Sequence, residues 1–306
     1  MAYYDNMHEL IGNTPIVQLS EVNKELPSKL FAKLELYNPM GSVKDRVGKY
    51  MIEDAEKKGL LKPGYTIVEG TAGNTGLGIA FAALNKGYRV IFAVPTKFSI
   101  EKQQLMMALG AEIINTPREE GMLGATRKAK ELLETIPNSI ALGQFTNQSN
   151  PQAHYETTGP EIYKDMEGKI DYVVLGAGSG GTFTGVVRYL KEQNPNIQAV
   201  LADPVGSTIG GGEHADYNIE GIGNDFIAET LDISLMDKVI KINDEEAFNG
   251  SKELALKEGI IAGSSSGAAF AAGKKLAKET KDARIVILLP DRGDRYFSTG
   301  LWEKKN

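Results

Sequence analysis

Short apolar runs alternate along this chain with longer stretches in which apolar residues recur every three or four positions. The short runs predict strands at 30–36, 66–69, 89–94, 110–114, 171–175, 198–202 and 284–289. Runs of this length, rich in branched apolar residues, suit strands buried on both faces. The longer stretches predict helices at 47–58, 76–86, 99–109 and 122–134, with an alanine-rich helix after Ser266. Met106, Met107 and Met122 fall on these helices and read as core filler. Strands alternating with helices predict an α/β fold of mostly parallel sheet covered by helices. The polar stretch Thr146-Asn147-Gln148-Ser149-Asn150-Pro151-Gln152 separates two halves, each with its own glycine-rich strand-to-helix turn. A ligand between the halves would sit at the carboxyl ends of the strands, where open α/β sheets bind ligands.

Composition narrows the class. A chain of 306 residues with 42% hydrophobic and 24% charged residues is long enough for two domains and ordinary for a globular protein. A formal net charge of -6 argues against nucleic-acid binding as the main role. No apolar run approaches the ~18 residues of a membrane span. The first residues lack the basic and apolar regions of a signal peptide, so the expected location is cytoplasmic. There is no cysteine, which excludes disulfides, thiolate metal sites and a cysteine nucleophile. His8, His154 and His214 are too far apart for metal-ligand spacing and read as structural or surface residues, so no metal is expected.

Three segments carry candidate chemistry. Asn38-Pro39-Met40-Gly41-Ser42-Val43-Lys44-Asp45-Arg46 places a lysine in a turn just before a predicted helix. Held partly out of water, its amine would deprotonate more easily and serve as nucleophile or base. Glu69-Gly70-Thr71-Ala72-Gly73-Asn74-Thr75-Gly76 and Gly176-Ala177-Gly178-Ser179-Gly180-Gly181-Thr182 are glycine- and hydroxyl-rich loops after predicted strands. A reactive lysine with two such loops suits a phosphate-bearing aldehyde cofactor. Asn74 could donate to a phenolic ring oxygen or act only as a turn or cap, and Thr71 and Thr75 flank it at a helix N-terminus suited to a carboxylate. Ser264-Ser265-Ser266 precedes the alanine-rich helix, where helix capping is the simpler role. Gly176-x-Gly178-x-x-Gly181 also fits a dinucleotide fingerprint, with Asp203 placed as a ribose-binding acid. Ser179 and Thr182 instead favour a terminal phosphate monoester, and the dinucleotide reading leaves Lys44 and the Thr71 loop without a role.

Taken together, these segments resemble the cysteine synthase and cystathionine β-synthase family of pyridoxal-phosphate enzymes. The resemblance runs from Ile11-Gly12-Asn13-Thr14-Pro15 to Pro290-Asp291-Arg292-Gly293-Asp294-Arg295-Tyr296. It implies the tryptophan-synthase-β-like fold type II, with two open twisted mostly parallel sheets. The implied smaller domain is 35–147, and the larger is 1–34 with 148–306. Pyridoxal 5'-phosphate is the implied cofactor, in Schiff-base linkage to Lys44. Asn74 would contact its ring oxygen, and Ser265 its pyridine nitrogen. Gly176, Ala177, Gly178, Ser179, Gly180, Gly181 and Thr182 would hold the phosphate, although many relatives have threonines where Ala177 and Ser179 stand. Thr71, Gly73, Thr75 and Gln144 would hold the substrate's α-carboxylate, and Ala72 would face the substrate near its reacting β-carbon. The implied partners are small-molecule amino acids and a second copy of the chain, with no nucleic acid or membrane.

The resemblance also implies the chemistry. A freed Lys44 amine removes the α-proton, the β-substituent leaves, and a nucleophile adds to the resulting α-aminoacrylate. Ala72 stands where sulfide-using cysteine synthases usually carry serine. Ile219-Glu220-Gly221-Ile222-Gly223-Asn224-Asp225-Phe226 looks more like the corresponding run of cystathionine β-synthases. Glu220 or Asp225 could pair with the ammonium of a thiol amino acid such as homocysteine, and Arg292 with its carboxylate. Gly221 and Asp225 join the expected substrate set, with Asp225 as a second catalytic residue. The chain looks most like the short bacterial type that uses O-acetylserine. Serine or cysteine as donor remain open, as do sulfide, cysteine or water as acceptor. A cysteine synthase, a cysteine lyase releasing hydrogen sulfide or forming lanthionine, and a non-catalytic binding protein are the alternatives.

Overall fold

Apolar runs become strands of two sheets, and the amphipathic stretches become the helices packed against them. The computed structural model describes residues 3–303 except 72, 97 and 98. In chain order the first part runs β1 (Ile16–Gln18), β2 (Lys29–Leu34), α1 (Lys44–Lys57), β3 (Thr66–Gly70), α2 (Asn74–Ala82) and β4 (Arg89–Pro95). Next come α3 (Ile100–Ala108), β5 (Glu112–Thr116), α4 (Gly121–Thr135) and β6 (Ser139–Ile140). Then α5 (Ser149–Ala153) passes through a π turn, His154–Thr158, into α6 (Gly159–Asp165). The chain closes with β7 (Tyr172–Leu175), α7 (Gly181–Gln193), β8 (Gln198–Pro204), β9 (Lys238–Ile242), α8 (Asp244–Glu258), α9 (Ser264–Glu279) and β10 (Arg284–Leu289).

One sheet has the order β1-β2-β10-β7-β8-β9 and the other β5-β4-β3-β6. Every pairing is parallel except that of β1 with β2. Central strands such as Arg284–Leu289 are buried on both faces, as parallel strands covered by helices must be. The strands of the smaller sheet all fall between residues 66 and 140, and those of the larger before 35 or after 171. On that partition we propose domain boundaries at 34/35 and 147/148.

Several elements differ from the expectation. The strand expected at 30–36 stops at Leu34, because Glu35 turns inward to bond the buried Arg46 at 2.8 Å. The helix expected at 47–58 starts at Lys44, so the lysine occupies a first helical turn rather than the loop before it. The helix expected at 76–86 ends by Ala82, ahead of a left-handed Asn85. Strands β1, β6 and β9 carry too little apolar patterning to read from sequence. Met106 is buried as expected, whereas Met107 and Met122 are exposed.

Two features hold the lysine-bearing helix in place. At Gly48 on α1 and Gly78 on α2 the helices touch backbone to backbone. A Cβ at Gly78 would lie 2.2 Å from the Lys44 carbonyl oxygen, and one at Gly48 would lie 2.3 Å from the Gly78 carbonyl. Only glycine permits that approach. Beneath α1, the Arg46 guanidinium bonds both Glu35 oxygens, each at 2.8 Å, and both Glu161 oxygens, each at 2.7 Å. Lys33, fully buried, reaches Glu161 at 2.8 Å and donates to the Thr14 carbonyl at 2.6 Å. Burial pushes the Glu35 carboxyl up, but Arg46 outweighs it and holds the pKa at about 2.

Candidate active site

Lys44 projects from the first turn of α1 toward the turn between β7 and α7. Its Nζ donates to Ser179 Oγ at 3.5 Å, a long contact that joins two segments 135 residues apart. The side chain is partly buried, and loss of water around the amine pulls its pKa from 10.5 to about 8. Among the described residues, burial is what sets this direction.

The loop that Lys44 meets is built to hold an anion. It leads from β7 to the N-terminus of α7, where the first-turn amides of Gly181, Thr182 and Phe183 lack intrahelical acceptors. Gly180 caps the helix at φ 82, a left-handed conformation that suits glycine. A Cβ at Gly178 would come within 2.5 Å of the Gly221 carbonyl oxygen, and one at Gly181 within 2.1 Å of Asn150 Oδ1. The cradle is therefore close-packed from behind. Asn150 Nδ2 donates to Ser179 Oγ at 2.9 Å, and Thr230 Oγ1 to the Ser179 carbonyl at 2.6 Å. His154 Nε2 lies 3.1 Å from Thr182 Oγ1, and its Nδ1 lies 2.8 Å from Thr158 Oγ1. Burial lowers the His154 pKa to about 3, so the ring stays neutral behind the loop.

The other predicted residues fall around this centre. Asn74 opens α2, but its cap is Gly73; the Asn74 amide instead donates to Asp291 Oδ2 at 2.7 Å. Its oxygen accepts from Arg295 Nη1 at 3.1 Å. Thr71 is buried, and Thr75 Oγ1 donates to Gln144 Oε1 at 2.7 Å. Gly73 faces open space, since a Cβ there would meet nothing within 4 Å. Ala72 lies outside the described residues. Ser265 is buried in the first turn of α9, whose cap is Gly263 with no side-chain cap bond. The serines therefore do not serve as caps. Ser264 accepts from the Glu220 amide at 3.0 Å, and the buried Ser266 hydroxyl has no partner among the described residues.

The loop around Gly221 lies against the phosphate-type loop. The Gly223 amide donates to the Ala177 carbonyl at 2.7 Å, and Asn224 Nδ2 to the Gly178 carbonyl at 2.8 Å. Asp225 beside them is exposed and makes no hydrogen bond or ion pair among the described residues. Glu220, the other expected ammonium acceptor, is already taken, bonding Lys102 on α3 at 2.7 Å. Arg292 is exposed and paired with Asp294 at 2.6 Å. Asp203, placed by its spacing as a ribose acid, is buried and paired with Lys241 at 2.5 Å. It also accepts from the Gly210 amide at 2.9 Å. Its role is structural, which removes the basis of the dinucleotide fingerprint.

A model of the family described as "Pyridoxal-phosphate dependent enzyme" matches residues 7–291. The chain belongs to this family. It is 47% identical over 304 residues to the O-acetylserine dependent cystathionine beta-synthase of Bacillus subtilis (strain 168), covering 99% of both chains. It is 45% identical over 299 residues to a cysteine synthase of Helicobacter pylori (strain J99 / ATCC 700824), covering 97% of this chain and 98% of the other. A crystal structure titled O-acetylserine dependent cystathionine beta-synthase from Helicobacter pylori superposes with a TM-score of 0.92 at 45% identity. The superposition covers 99% of this chain and 100% of that one. The cofactor of the family is pyridoxal phosphate. The site fits it: a weakly basic lysine faces a glycine cradle with free helix-terminal amides, flanked by an amide and a serine at two other helix starts.

Sequence reasoning assigned no role to Asn150, Lys102, Asp291, Arg295 or Tyr296. Asn150 lay within the polar stretch read as a boundary. His154, expected to be structural or at the surface, is buried and supports the loop. Asp291, Arg295 and Tyr296 entered only as the end of the family resemblance. Their proximity to Asn74 depends on tertiary contacts across more than 200 residues, which no local pattern encodes.

Proposed function

We propose that this protein catalyses β-replacement on a serine-derived amino acid, with O-acetylserine as donor and a thiol such as homocysteine as acceptor, giving cystathionine. The observation that carries the reading is Lys44, an amine with a pKa of about 8 held 3.5 Å from the hydroxyl of a phosphate-type loop. Pyridoxal phosphate, when bound, supplies the electron sink that lets the α-proton and then the β-substituent leave. Lys44 holds the cofactor and, once freed, takes the α-proton at Nζ; a lowered pKa suits both tasks near neutral pH. The amides at the start of α7 take the phosphate, with Ser179 and Thr182 adding hydroxyl donors. Thr71, Gly73, Thr75 and Gln144 receive the substrate carboxylate, favoured by the N-terminus of α2. Asn74 donates to the ring oxygen. Ser265, a neutral hydroxyl, meets the ring nitrogen without forcing it to stay protonated.

Asp225 favours an amino-acid thiol over sulfide. It is exposed beside the loop and unpaired among the described residues, so its charge is available to an incoming ammonium. Asp225→Asn keeps the shape and removes the charge. Homocysteine addition should slow tenfold or more, about 1.4 kcal/mol of barrier, while the donor half-reaction and sulfide addition change little. Product analysis by mass spectrometry supplies the decisive comparison, with O-acetylserine, serine and cysteine as donors against homocysteine, sulfide, cysteine and water. Cysteine formed from sulfide at a rate that homocysteine cannot match would replace this reading with a cysteine synthase. Sulfide released from cysteine as the dominant activity would replace it with a lyase. The same reading places the enzyme in the cytoplasm as a homodimer, for which the exposed Val17 and Tyr37 offer apolar contact surface.

A further inference from the structure

Asp291 sits where three segments of the site converge, those of Lys44, Asn74 and Ser265. It forms an isolated antiparallel bridge with Ser42, two residues before Lys44. Its carbonyl accepts from the amide of Gly263, the cap of the helix that carries Ser265, at 3.1 Å. Its side chain reaches the third segment. Oδ2 accepts from Asn74 Nδ2 at 2.7 Å and from the Tyr296 hydroxyl at 2.6 Å. The carboxyl is 1% exposed, and Oδ1 has no partner among the described residues.

An asparagine amide has two flip states that differ in which end donates. Two neighbours decide the state of Asn74. Arg295 only donates, and it addresses the oxygen at 3.1 Å; Asp291 Oδ2 accepts, and it addresses the nitrogen. Burial raises the Asp291 pKa, against the opposing pull of the Lys102 charge and of the Tyr296 and Asn74 donors. A proton on the unpartnered Oδ1 would still leave Oδ2 an acceptor. The orientation is thus insensitive to the ionisation of Asp291. One Nδ2 hydrogen is used by Asp291, and the second remains.

We propose that Asp291 is a positioning residue: with Arg295 it locks the Asn74 amide so that its remaining N–H is presented to the ring oxygen of the cofactor. This rests on the reading of Asn74 given above. It assigns the buried carboxylate to cofactor orientation, where a role in fold stability alone would leave the orientation of Asn74 to the cofactor.

The test is a double-mutant cycle on cofactor affinity and on the visible spectrum of the loaded protein. A donor at the ring oxygen favours its anionic form, so losing the donor should shift absorbance from the long-wavelength band toward shorter wavelength. Asn74→Ala and Asp291→Ala should each produce that shift and weaken pyridoxal phosphate binding about tenfold. The double variant should be no worse than about twofold beyond either single variant, because both remove the same contact. Asp291→Asn retains one oxygen acceptor and should restore the wild-type spectrum. If Asn74→Ala changes nothing, the reading of Asn74 fails and the role of Asp291 falls with it. If Asn74→Ala shifts the band but Asp291→Ala does not, or the two effects multiply, the present inference alone is overturned. A measurement on the unmutated holoenzyme covers the case in which Asp291→Ala does not fold. The Asn74 side-chain amide resonances, assigned by their loss in Asn74→Ala, should include one proton shifted far downfield by the carboxylate and protected from solvent exchange. Two equivalent, freely exchanging protons would overturn the proposal.

Discussion

An ammonium with a pKa of 10.5 leaves about three amines in ten thousand unprotonated at pH 7, whereas one near 8 leaves about one in ten. Lys44 gains that reactivity from its surroundings, with burial as the cause of its shift. Covalent capture of pyridoxal phosphate by the apoprotein should therefore rise with pH up to about 8 and then level off. Stopped-flow absorbance across pH 6–10 would check this, and a rate still climbing steeply at pH 10 would mean that the amine is not perturbed. Lys44, Asn74 and the glycine loop were legible in the sequence because they cluster in short segments whose residue types have few other uses together. The chemistry of the supporting residues was not legible. His154 reads as any buried histidine until Thr182 and Thr158 are seen at its two nitrogens. Glu220 reads as an available carboxylate until Lys102 arrives from 118 residues away.

At the scale of elements, the start of α1 is positioned by its contact with α2. The two helices carry Lys44 and Asn74 at their first residues, so their mutual placement sets the distance between the two proposed cofactor contacts. Gly78→Ala would drive a methyl group into the Lys44 carbonyl, a backbone atom that cannot swing aside. The expected loss is about 1–3 kcal/mol in chemical unfolding, with weakened cofactor binding, since α1 must shift at the lysine itself. Normal stability and affinity in Gly78→Ala would show that the helices separate without consequence for the site. Alternation of apolar runs and helical periodicity revealed most strands and helices. It failed where burial and polarity conflict. The expected end of β2 overruns the observed one by two residues because Leu36 continues the apolar run, while Glu35 leaves the sheet for Arg46. Strand β9 begins Lys238-Val239-Ile240-Lys241 and lies at the edge of its sheet, where lysines are tolerated but obscure the pattern.

At the scale of the molecule, Arg46 fastens the lysine-bearing helix to the end of β2 through Glu35 and to α6 through Glu161. Arg46→Met would strand Glu35, fully buried, and leave Glu161 with Lys33, costing about 3–5 kcal/mol in denaturant unfolding. Adding Glu35→Gln should recover part of that loss, because the uncompensated buried charge is then gone. A cost below about 1 kcal/mol for Arg46→Met would mean that the cluster does not hold α1. The order of the larger sheet bears on synthesis as well as on stability. Strand β2 takes its parallel partner from β10, with Lys29 opposite Arg284. At roughly 5–20 residues per second of translation, β2 waits on the order of ten to fifty seconds for that partner. The smaller sheet, complete once Ile140 has emerged, has no such delay. Asp291 lies just beyond β10, so Lys44 and Asn74 wait through most of synthesis for the residue that joins them to the Ser265 helix. A ribosome stalled before that point holds a chain with nearly every site residue made and no site.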